Sequence, residues 1–187
     1  MSHSHELSAP SVHTTEIELR HQSIQIPTDR PLMTLEESQK HHINAAVLAE
    51  LTLPTPNSKG EPKKLHLLDF GEDIPEQGKA VYYLPDIGDT SHIAVSKTRF
   101  ALKPVNYTPD THLVGLCELP VGRTTIGRER TDHAGYWLGL SDCIGPSAHN
   151  DANSALSRQH FTIEVTEQGS LTLEDHSTNG TEVKLAQ

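Results

Sequence analysis

The sequence predicts a mainly β protein, an antiparallel β-sandwich over residues 92–187 preceded by a polar N-terminal region with one helix. Three features of the chain point there. From Phe161 the residues alternate, with Phe161, Ile163 and Val165 apolar and Thr162, Glu164 and Thr166 polar, the period of a strand buried on one face. Glu167-Gln168-Gly169-Ser170 breaks the pattern with turn-forming residues and Leu171-Thr172-Leu173-Glu174 resumes it, which makes a β-hairpin. Upstream, short apolar runs separated by regular turns fit the many-stranded order of a sandwich.

Taken in order, Met1 to about Arg30 is polar, rich in Ser, Thr and His, with one strand-like alternation from Ile17 to Ile26. The expectation for 1–30 is a flexible arm. Thr34 followed three residues on by Glu37 is a capping box, and Ile43, Val47, Leu48 and Leu51 fall on one helical face before Leu53-Pro54. These predict a helix over about 34–52, whose narrow stripe suits either capping the domain or engaging a partner. Pro54 to Pro62 is a linker by composition, and helix, linker and an acidic stretch together make up 31–90. Within that stretch Lys64–Phe70 and Ala80–Leu84 read as short strands without an assignable sheet. His92–Val95, Arg99–Val105 and His112–Leu119 read as strands of the sandwich, and Thr124–Ile126 leads into Gly127-Arg128.

Charge and composition exclude several functions. The formal net charge is -10, with 7 basic against 14 acidic residues in 1–90 and 8 against 11 in 91–187. A nucleic-acid binder would show a basic face, so none is expected as partner. Four of the five arginines after residue 90, Arg123, Arg128, Arg130 and Arg158, still cluster in or beside the polar blocks described next, so a small positive patch is possible on an acidic protein. Two cysteines are too few for a disulfide framework, and there is neither a signal peptide nor a long apolar run. The expectation is an intracellular protein, cytoplasmic or nuclear, with no membrane partner. His3/His5 and His41/His42 lack a second pair at ligand spacing, so neither metal nor cofactor is expected.

Directly before the hairpin stands Ser157-Arg158-Gln159-His160, and directly after it His176-Ser177-Thr178-Asn179-Gly180-Thr181. Antiparallel pairing brings these two polar segments to the same end of the sheet. Ser157 and Thr178 supply hydroxyls, Asn179 an amide, Gly180 a backbone tolerant of positive φ, and Arg158 and Arg128 guanidinium forks. Such donors suit a tetrahedral anion, with a phosphorylated side chain the obvious case.

In these blocks the sequence resembles the forkhead-associated (FHA) domains, whose motif runs Gly-Arg, Ser-x-x-His, Thr-Asn-Gly-Thr. Here it reads Gly127-Arg128, Ser157-Arg158-Gln159-His160 and Thr178-Asn179-Gly180-Thr181, with Tyr136 to Leu140 similar to the short strand after the Gly-Arg turn. The resemblance implies a phosphothreonine-binding module for signalling or regulated assembly, its partner a phosphothreonine-containing protein. Carried over, Arg128, Ser157, Arg158 and Thr178 would contact phosphate and Asn179 the peptide backbone. Gly127, His160 and Gly180 would support the site. Two departures stand out. The loop of residues 141–153 is longer than the family's, and the chain stops seven residues after Gly180, before the strands that close the family's second sheet. The domain is therefore expected to be C-terminally incomplete, with an open edge. Alternatives are a truncated or degenerate scaffold binding without phosphorylation, or the N-terminal piece of a larger protein such as a kinase. A catalytic Ser157/His160 pair is disfavoured because residues three apart at a strand start point to opposite faces and no nucleophile elbow surrounds the serine. The oligomeric state is left open.

Overall fold

Among the described residues the chain forms thirteen strands and one short helix: β1 (Thr14–Leu19), β2 (Ser23–Ile26), α1 (Leu35–Gln39), β3 (Ala46–Leu53), β4 (Lys63–Asp69), β5 (Lys79–Tyr82), β6 (Ile93–Ser96), β7 (Phe100–Pro104), β8 (Cys117–Leu119), β9 (Gly122–Gly127), β10 (Tyr136–Gly139), β11 (Phe161–Val165), β12 (Leu171–Asp175) and β13 (Thr181–Ala186). The computed structural model describes residues 13–41, 43–53, 63–82, 93–105, 116–127, 136–139 and 157–187. The expected linker 54–62 and the long loop 141–153 lie outside these residues, as does Arg128.

Two sheets face each other, one in the order β1-β13-β3-β4-β7-β8 and one in the order β10-β9-β11-β12-β2, with β5 and β6 forming a separate pair. Pairing is antiparallel throughout except between β9 and β10, which run parallel. Alternate residues of each strand point inward, so Leu51, Leu65, Leu102, Leu119 and Val183 from the larger sheet meet Ile126, Phe161, Ile163 and Leu173 from the smaller in one buried core. The mainly β sandwich read from the sequence is what forms, and the hairpin β11–β12 pairs Phe161 with Asp175 through to Val165 with Leu171.

Three expectations need correction. Residues 13–30 are no arm: β1 pairs with β13 over Thr14↔Ala186 to Leu19↔Thr181, β2 pairs with β12, and Leu19 and Ile26 are buried in the core. Each strand is an edge with one buried face, so a few apolar residues suffice to seat it. The helix is the second. Thr34 and Glu37 do form the capping box, yet α1 ends at Gln39 and Ala46–Leu53 is a strand between β13 and β4. A bulge between Val47 and Ala49 breaks the alternation there, so apolar residues crowd both faces and mimic a helical stripe. The third is the open second sheet. The larger sheet is completed on both sides of β13 by β1, β3 and β4, and the smaller by β2, all from the N-terminal half. Relative to the family order that the resemblance implies, the closing strands precede the motif instead of following it.

The outer face of the larger sheet carries a second small core. Ile43, Ala45, Val47, Leu68, Phe70 and Ala101 are buried together, and Met33 bridges to Val47 by backbone bonds of 3.0 and 2.9 Å. Beside it runs a polar row set by strand register: Glu16↔Lys184, Lys184↔Glu50, Glu50↔His66 and His66↔Lys103. Burial pushes Lys103 down to about 8. Glu50 lies 3.2 Å from His66 Nε2 and 3.5 Å from Lys64 Nζ, and the bond to His66 above all holds its carboxyl down to about 2. Because the folded value is depressed, ionised Glu50 stabilises the fold above the ordinary 4.5, and that contribution is lost as pH falls through about 2. Glu50→Gln should cost about 1–2 kcal/mol at neutral pH, after allowance for solvent screening, and the gap to wild type should close in acid. Urea unfolding of both proteins across that window checks this, and a gap independent of pH would refute it.

Cys117 on β8 is buried and disulfide-bonded, while Cys143 lies outside the described residues. The cysteines therefore lend no support to the intracellular expectation. Among the described residues no helix is long and apolar enough to cross a membrane.

Candidate functional site

The hairpin register places Phe161 opposite Asp175, so the segment entering β11 and the one leaving β12 start side by side, with His176 N bonded to His160 O at 2.9 Å. The bridge continues outward. Thr178 N donates to Ser157 Oγ at 3.0 Å, tying the two polar loops directly. Ser157 is half-buried, whereas Arg158, Thr178 and Asn179 are exposed at the end of the sandwich. Ser157, Arg158, Thr178 and Asn179 thus share one surface.

His160 is the buried post beneath them. Ser157 N donates to His160 Nδ1 at 3.1 Å, so Nδ1 is the acceptor and Nε2 carries the proton it gives to Gly180 O at 2.9 Å. One neutral tautomer therefore joins both loops, and burial pushes the imidazole below its ordinary value. The strand-start geometry expected for Ser157 and His160 needs correcting, since residues 157–160 bend and bring the ring back to the Ser157 backbone. The ring bonds that backbone N–H, while the hydroxyl accepts from Thr178.

Asp175, which sequence reasoning passed over, organises the second loop. It is fully buried and accepts from Ser177 Oγ at 2.7 Å, Thr181 Oγ1 at 2.8 Å, His21 N at 2.9 Å and Ser177 N at 3.2 Å. Burial alone would raise its carboxyl, but the bonds from His21, Ser177 and Thr181 prevail and hold it below the usual range. Ser177 Oγ in turn accepts from Gly180 N at 2.8 Å, fixing the turn that carries Thr178 and Asn179. An acidic residue closing a strand just before Ser and Thr was the available signal, because such a carboxylate collects nearby hydroxyl and backbone donors.

The glycines have separate reasons. Gly127 packs flat against the first loop, where a Cβ would stand 1.7 Å from Arg158 O. Gly180 holds φ +89°, a left-handed conformation that other residues adopt at a cost. Arg128, the fixed charge expected beside Gly127, lies outside the described residues.

A β-sandwich whose hairpin presents two bridged polar loops, built over a buried histidine and a buried aspartate, defines a class of ligand-binding module. The model of the FHA domain family matches residues 124–186, from within β9 to the end of β13. Residues 124–186 are thus similar to the FHA domains, a family of phosphopeptide-binding modules. The N-terminal strands that complete both sheets lie before the matched residues. No curated protein and no solved structure matches the chain significantly.

Proposed function

We propose that the loops at this end of the sandwich bind a phosphothreonine-containing protein through an extended peptide, and that the chain performs no chemistry on it. The observation that carries the reading is the Thr178 N to Ser157 Oγ bond, which sets hydroxyl, amide and guanidinium groups of two separate loops on one exposed surface. A phosphate dianion gains several charge-assisted bonds from Ser157, Arg158 and Thr178, with Arg128 added by its place in the motif, while a bare hydroxyl gains almost none. In this reading Asn179, next to Thr178 in the chain and exposed, holds the peptide backbone. Catalysis has less support: the His160 ring is committed to Ser157 N and Gly180 O and does not bond the serine hydroxyl. The net charge of -10 is the reason a nucleic acid is not proposed.

Titration of phosphothreonine peptides and their unphosphorylated counterparts against the full chain is the test. Phosphorylated peptides should bind in the micromolar range, at about -8 kcal/mol, and bare ones far more weakly. Losing one charge-assisted bond costs about 1.5–3 kcal/mol, so Arg158→Ala, at an exposed position that spares the loop bridge, should weaken binding roughly ten- to a hundredfold. Ser157→Ala should lose at least as much, because the bridge to Thr178 goes with it. Equal affinity for both peptide forms would instead establish a scaffold indifferent to phosphorylation.

A further inference from the structure

The connection between β1 and β2 belongs to none of the motif blocks, yet it is built into the second loop. His21 N donates to Asp175 Oδ2 at 2.9 Å, and Asp175 N donates to Gln22 O at 2.9 Å. His21 itself sits at φ 55°, the left-handed conformation that turns the chain sharply from one sheet to the other. That turn presses the end of β1 against Gly180. A Cβ placed there would stand 3.2 Å from Leu19 O and 3.4 and 3.5 Å from Cγ and Nε of Arg20. Arg20 is thus seated against the residue that follows Thr178 and Asn179, although more than 150 residues separate them in the sequence.

The side chain is free to be used. Its side chain is 60% exposed, and among the described residues its one polar partner is Glu18, 2.6 Å from Nε and with a side chain 52% exposed. An exposed ion pair of this kind contributes little to stability, so a carboxylate brought by a ligand can replace Glu18 without unfolding anything. Bonding through Nε also leaves the two terminal nitrogens of the fork for a second acceptor. The neighbouring charges are Glu18, Glu182 opposite it in the strand register, exposed His21, and the buried Asp175 already satisfied by its four donors.

We infer that Arg20 is a specificity-determining residue, which pairs with an acidic side chain of the bound phosphopeptide close to the phosphothreonine. This rests on the reading of the loops as a phosphothreonine site and names the class of peptide that site prefers. The N-terminal strands then supply part of the recognition surface as well as closing the sheets.

The test uses the full chain and a set of phosphothreonine peptides, one neutral at every flanking position and the others carrying a single Glu at each neighbouring position in turn. In wild type a Glu at one position should raise affinity about three- to tenfold over the neutral peptide. In Arg20→Ala that gain should fall below about twofold, with affinity for the neutral peptide changed by less than the same factor, and Arg20→Lys should restore part of it. Glu18→Gln, which removes the competing carboxylate, should enlarge the gain. An equal loss on every peptide would show that Arg20 only packs on Gly180, and an undiminished gain in Arg20→Ala would show that another residue reads the acid. Either overturns the inference while leaving the phosphothreonine reading intact. A wild-type protein that binds the neutral phosphopeptide no better than its bare form overturns the reading and the inference together.

Discussion

A chain beginning at residue 31 is expected to show no cooperative thermal transition, although it retains every motif residue. Removing β1 and β2 takes Leu19 and Ile26 out of the core, at about 1.5–3 kcal/mol each, and strips the ladder partners from one side of β13 and of β12. Each ladder bond is worth roughly 0.5–1.5 kcal/mol net, and a domain of this kind has only about 5–15 kcal/mol in total. Loss of the His21 N–H also leaves buried Asp175 one donor short beneath the binding loop. The milder Leu19→Ala should fold but lose about 2–5 kcal/mol. Calorimetry decides the matter, and a truncated chain melting cooperatively within a few degrees of the full one would show that the N-terminal strands are accessory.

Gly127→Ala is expected to abolish phosphopeptide binding and to lower stability by about 1–3 kcal/mol or more. The added methyl would stand 1.7 Å from Arg158 O, 2.4 Å from its carbonyl carbon and 3.0 Å from Gln159 Cα, all backbone atoms that cannot swing aside. The loop carrying Ser157 must retreat, which strains the 2.9 Å bond from His160 N to Ile126 O and the 3.0 Å bridge to Thr178. Gly169→Ala provides the contrast. Gly169 sits in the β11–β12 turn at the other end of the sandwich, has φ +85°, and its methyl would meet only the tip of the Arg99 side chain. That change should cost roughly 1 kcal/mol of stability and leave affinity unchanged. Matched melting and titration of the two variants separates damage to the loop from general destabilisation, and intact binding in Gly127→Ala would refute the close approach.

How much of this was legible in the sequence depends on the range over which each feature is encoded. The hairpin and its two flanking loops could be read because Phe161 to Leu173 carries its own alternation and turn, and antiparallel pairing alone brings Ser157 toward Thr178. The sandwich and the strands β7, β8 and β9 were visible for the same local reason. β1 and β2 were not, since a short edge strand with one buried face looks like any polar segment until its partner is known, and those partners lie at the far end of the chain. Val47 to Leu53 misled in the opposite way. There the bulge scrambled the period and a buried strand took on a helical stripe. Asp175 carried a local signal in the Ser177 and Thr181 that follow it, whereas Arg20 owes its place to a tertiary contact with Gly180 that no spacing rule could have supplied.

The position of β13 between β1 and β3 bears on how the protein is made. Thr14 pairs with Ala186 and Leu51 with Val183, so the two strands synthesised early both await a neighbour synthesised much later. On the ribosome β1 and β3 must stay apart by the width of a strand that does not yet exist, and their premature union would shut β13 out. Closure of the larger sheet is consequently a long-range event that waits for β13, and refolding is expected in the slow range of β-rich topologies dominated by distant contacts. Until it closes, the unpaired rims of β1 and β3 are the surfaces a chaperone would have to shield.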